Sequence, residues 1–69
     1  MPDHIYKVLE IVGSSTVSSD DAIRNAIEKA SKTIRHMNWF QVVEQRGHIA
    51  DGTVAHFQVV LKIGFRLED

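Results

Sequence analysis

Three stretches of this chain carry strand-like patterns and one carries a helical pattern. From Ile5 to Val12 the residues are β-branched, aliphatic or aromatic, with polar side chains interrupting about every third position, and Gly13-Ser14-Ser15 closes the run. A first strand is expected there. Ser18 or Ser19 is placed to N-cap a helix, with Asp20 and Asp21 in its first turn, where the helix dipole favours negative charge. Ile23, Ala26, Ile27, Ala30, Ile34 and Met37 then recur at helical spacing, which predicts one apolar stripe over about five turns with Arg35 and His36 at its C-terminal end.

Two further strand-like runs, Trp39 to Ile49 and Thr53 to Leu67, are joined by Asp51-Gly52, a dipeptide that tolerates positive φ and so marks a two-residue hairpin. Along the last run Ala55, Phe57, Val59, Leu61, Ile63, Phe65 and Leu67 alternate without a break. One face of that strand is therefore wholly apolar and belongs under the helix, at the centre of the sheet. A right-handed crossover from the first strand to the second leaves room for the third between them. The expected fold is α+β, with element order β-α-β-β, a three-stranded antiparallel sheet in order 1-3-2, and one amphipathic helix packed on one face.

The turn also sets a register. With Ala50 opposite Thr53 and no bulge, pairing partners sum to 103, so Phe40 and Val42 face Ile63 and Leu61 on the helix side. Trp39, Gln41, Val43 and Gln45 then share the opposite face with Gly64, Lys62, Val60 and Gln58. The same register puts Arg46 on the helix side, so for Arg46 to serve a site on the open face, either a bulge near Gly47 turns it around or it reaches a ligand of a neighbouring subunit. No further element of the chain covers the second face, yet it carries the single Trp, two valines and several glutamines. That mixture fits a subunit contact or a binding surface better than a solvated face. An indole offers stacking area, and a glutamine amide offers one acceptor and two donors in a plane, which matches the edge of a flavin or pterin ring.

Length and composition narrow the setting. At 69 residues the chain is read as one domain, residues 1–69, and a domain this short usually needs disulfides, a metal or partner subunits for stability. It has no cysteine, and its four histidines show no ligand spacing, so no metal is expected and self-association remains. A net charge of −1 provides no basic field for nucleic acid or anionic lipid. No apolar run reaches membrane-spanning length, and the start lacks the pattern of a secretion signal, so a cytoplasmic protein without membrane or nucleic-acid partners is expected.

The chain resembles the dodecins. The similarity is carried by Asn38-Trp39-Phe40-Gln41-Val42, Arg46-Gly47-His48, Phe57-Gln58-Val59, the ending Val60 to Leu67, and Tyr6-Lys7-Val8 through Glu10 to Ser15. The resemblance implies a β-α-β-β subunit of a hollow homododecamer that binds flavin without turnover. It implies that Trp39 stacks on the isoalloxazine and that Gln58 reads its pyrimidine edge. Arg46 and Arg66 match arginines linked to the phosphate end of the ligand or to assembly, and Gln45 is a further candidate on the Gln58 side. FMN is favoured by these arginines, with riboflavin and FAD as other flavins and coenzyme A as a second ligand.

The rival is an enzyme. Removal of Met1 would expose the Pro2 amine, the base of small oligomeric tautomerases, but polar Asp3 and His4 follow where those enzymes lead into an apolar strand. Gly13-Ser14-Ser15 lacks the Gly-Lys-Ser/Thr of a phosphate loop and reads as a strand-to-helix turn. No nucleophile, base and orienting group can be combined, so no catalytic residue is expected, and the role the resemblance implies is storage of flavin and suppression of its photochemistry.

Overall fold

The computed structural model describes residues 3–67. Strand β1 (Tyr6–Ser15) leads into helix α1 (Ser19–Ala30), followed by β2 (Met37–Ala50) and β3 (Thr53–Arg66). The sheet is antiparallel throughout, in order β1-β3-β2, as the alternation in the last run predicts. Asp51 and Gly52 take φ of 52° and 74° and make the tight turn between β2 and β3.

The connection from β1 to α1 is built by serines. Ser18 is extended and its hydroxyl accepts the Asp21 N–H at 3.0 Å. Buried Ser15 donates to the Asp21 carboxylate at 2.6 Å and accepts the Val17 N–H at 2.9 Å, so both ends of the turn are tied to one side chain. Ser18→Ala is expected to destabilise the protein by about 1 kcal/mol through loss of this cap, read from urea denaturation.

Strand β1 runs through Gly13 instead of ending before it, because the glycine lets the helix lie directly on the strand. A Cβ there would overlap the Ala22 carbonyl oxygen and stand 2.9 Å from the Ala26 Cβ. The buried face of α1 is accordingly Ala22, Ala26 and Ala30, with Ile23 and Ile27 flanking it, half-buried. The helix stops at Ala30, so Ile34 and Met37 are not on it. Past that point the Ser31 hydroxyl donates to the Glu28 carbonyl at 2.6 Å and Thr33 to Ala30 at 3.5 Å, local bonds that compete with a continuing helix. His36, at φ 62°, then turns the chain into β2.

The core is small. Val59, Leu61 and Ile63 of β3 are buried on the helix side, with Ala22 and Ala26 over Val59 and Leu61. A helix of 12 residues is about 18 Å long, whereas the 14-residue β3 spans roughly 46 Å, so α1 covers only the middle of the sheet. It packs over β1 and β3, leaving Phe40 of β2 49% exposed although it points to the same side. The subunit measures 55 × 21 × 13 Å and its radius of gyration is 14.4 Å, against about 11 Å for a compact domain of this length.

Candidate functional site

The uncovered face of the sheet is a ladder of side chains read directly from the register. From one end it carries Tyr6 beside Arg66, then Val8, Gly64 and Trp39, then Glu10, Lys62 and Gln41. Val12, Val60 and Glu44 come next, followed by Ser14, Gln58 and Arg46, and then by His56 and His48.

Trp39 lies flat on the backbone of Gly64: a Cβ at that glycine would fall within the indole, overlapping Cε2 and Cζ2. The absence of a side chain at position 64 thus seats the ring against the sheet, and 41% of Trp39 remains exposed. An exposed, fixed indole plane is a stacking platform. Arg66 is two residues further along β3 on the same face, half-buried, and its N–H donates to the His36 carbonyl at 3.1 Å.

At the other end Arg46 is directly opposite Gln58. Its Nε donates to Gln58 Oε1 at 3.2 Å and its Nη1 to Glu44 Oε1 at 3.0 Å. The carboxylate pair is half-exposed and contributes at most about 1 kcal/mol, so it orients the guanidinium more than it stabilises the hairpin. The Gln58 carbonyl keeps a second lone pair and its amide keeps both donors.

Two irregularities of register produce this arrangement. Val43 is an extra residue between Val42, opposite Leu61, and Glu44, opposite Val60, and Ala55 is skipped between the pairs Ile49 with Val54 and His48 with His56. Between these bulges the partners sum to 104, which corrects the unbroken register. Gln45 pairs with buried Val59 and so falls on the helix side, away from Gln58, while Arg46 moves to the open face. The irregularity at Ala55, opposite the step from His48 to Ile49, is the bulge near Gly47 that turns Arg46 around; no sequence signal marks the one at Val43. Trp39 and Gln58 do share one face, but Gly64 and Gln58 are six positions apart on β3, about 20 Å along the strand. Met1 and Pro2, on which the tautomerase reading rests, lie outside the described residues. Among the described residues no helix is long and apolar enough to cross a membrane.

A family model for dodecins matches residues 5–68. The chain belongs to the dodecin family. It is 48% identical to the dodecin of Thermus thermophilus over 65 residues, 94% of each chain. Its fold superposes on the dodecin of Streptomyces coelicolor with a TM-score of 0.95 and 54% identity, covering 100% of this chain and 99% of that one. The dodecin from Streptomyces davaonensis gives 0.94 and 50%, with 99% and 100% covered. The dodecin fold is thus shared along nearly the whole chain, including the strand with the Trp39 platform and the strand with Gln58.

Proposed function

We propose that the protein is a non-enzymatic flavin-binding subunit of a closed homo-oligomer, a dodecamer in the cytoplasm, and that each flavin site is assembled from more than one copy. The separation of Trp39 from Gln58 carries this reading. A single fused three-ring system does not bridge about 20 Å, so one subunit cannot both stack a flavin and read its edge. Trp39 with Arg66 forms one half-site, which stacks the ring; Gln58 with Arg46 forms the other, which takes the pyrimidine edge and a phosphate. Copies brought together by a symmetry axis supply both halves at once.

The same partners satisfy the exposed apolar surface. Phe40 and Val42 beside the helix, and Ile49 and Val54 near the hairpin end, are half or more exposed in the single subunit or close to it. Burial of this surface against other copies provides what a 69-residue chain without cysteine lacks.

Light scattering of the native protein is expected to give a dodecamer, and a monomer at micromolar concentration would remove the basis for a shared site. Titration with FMN, riboflavin, FAD and coenzyme A then identifies the ligand. Arg46→Ala should weaken FMN more than riboflavin, because only FMN offers a phosphate for a charge-assisted bond. Equal losses for the two flavins would assign Arg46 to positioning Gln58 or to assembly.

A further inference from the structure

The bulge at Ala55 has a second product. In the unbroken register His48 would face Ala55, and His56 would face Gly47 across the sheet. With Ala55 skipped, His48 and His56 become directly opposed neighbours on the open face of the hairpin, both exposed. Their ring centroids are 6.4 Å apart with an interplanar angle of 79°.

We propose that His48 and His56 form a cross-strand two-histidine site for a borderline divalent transition metal such as zinc, nickel or copper(II). Opposed residues on antiparallel strands have Cβ atoms about 4.5 to 5.5 Å apart, which aims both side chains outward from one place. Two imidazole nitrogens at about 2.0 to 2.1 Å from a shared ion bring ring centroids to roughly 5 Å, within reach of exposed rings that now stand at 6.4 Å by rotation about their side-chain bonds. The backbone ladder holds the pair, so few degrees of freedom are lost on binding.

The electrostatics permit it. Arg46 is the nearest cation on this face, and Glu44 already meets its charge at 3.0 Å, while Gln58 is neutral. Among the described residues no third histidine, cysteine or carboxylate joins the pair, so the remaining coordination positions go to water or to another copy, and the ion stays exchangeable. Imidazole nitrogen selects borderline metals; calcium, which takes oxygen ligands, has nothing to bind here.

The bland account is a cross-strand aromatic contact with no ligand, and titration calorimetry on the untagged native assembly separates the two. Zinc or nickel chloride should bind saturably at no more than one ion per subunit, and calcium chloride should not compete. His48→Gln and His56→Gln should each weaken binding at least tenfold, with the double variant little worse than either single one because the ligands act together. His4→Gln should leave it unchanged, and light scattering must show that all variants keep the parent's size. Absence of saturable uptake of zinc, nickel or copper(II) by the parent, or uptake that survives both substitutions, overturns the site.

Discussion

Trp39→Ala should lose at least tenfold in flavin affinity and most of the quenching of flavin fluorescence. Stacking of an aromatic pair is worth about 0.5 to 1.5 kcal/mol beyond area, and burial of a ring of this size adds more, so the indole exceeds the roughly 1.4 kcal/mol that a tenfold change requires. Quenching follows from contact, since an indole against an excited flavin donates an electron before emission. Gln58→Ala removes edge hydrogen bonds of about 0.5 to 1.5 kcal/mol each and should cost less, unless it strands a buried ring edge without partners. Both variants must first be shown to assemble. A mixture unfolded and reassembled from the two variants adds a test of the shared site: sites that draw Trp39 from one variant and Gln58 from the other should recover binding. Intact Trp39→Ala assemblies that hold and quench flavin like the parent would reduce the indole to a subunit anchor.

Gly13→Ala should be costly although it adds one methyl group. Its Cβ has no room between the Ala22 carbonyl and the Ala26 methyl, and neither neighbour is the free end of a long side chain, so the helix must lift from β1. Overpacking of this kind costs about 1 to 3 kcal/mol. Gly52→Ala is the natural comparison. That residue, at φ 74°, has no atom within 4 Å of a new Cβ and would carry only backbone strain, about 1 kcal/mol. Denaturation midpoints of the two variants against the parent distinguish steric contact from strain, and a Gly13→Ala protein as stable as the parent would mean that the helix does not rest on the strand as described.

The fold was legible because its signals are local or strictly periodic. Asp51-Gly52 names its own turn, Ser18 its own cap, and the alternation from Ala55 to Leu67 requires a central strand with one covered face. The helix was overread because Ile34 and Met37 keep the spacing while Ser31 and Thr33, which end the helix, leave that spacing undisturbed. Its buried face was also partly misread: alanines, and not the isoleucines, make the closest contact, and the residue that allows this, Gly13, is on another element. The open face was half legible. Trp39 opposite Gly64 follows from counting back from the turn and survives because the two bulges cancel there. Between the bulges the count is off by one, which exchanged the faces of Gln45 and Arg46 and hid the approach of His48 to His56. A bulge is a cooperative choice of two strands and their packing: Gly47 points to one nearby, but its place opposite Ala55 and the presence of the other at Val43 leave no mark in a single sequence.

In the proposed shared site, the distance between Trp39 and Gln58 would give the ligand a mechanical role as well as a place. A molecule held by one copy at its ring and by another at its edge is a fastener, and it can be removed only by parting the copies or by sliding out between them. A ligand that binds only the assembled form raises its stability by about 2.7 kcal/mol at a hundredfold excess over the dissociation constant. If the site is shared as proposed, the subunits would become harder to separate as flavin accumulates and easier to separate as it is depleted, and the supply of the small molecule would set the lifetime of the container.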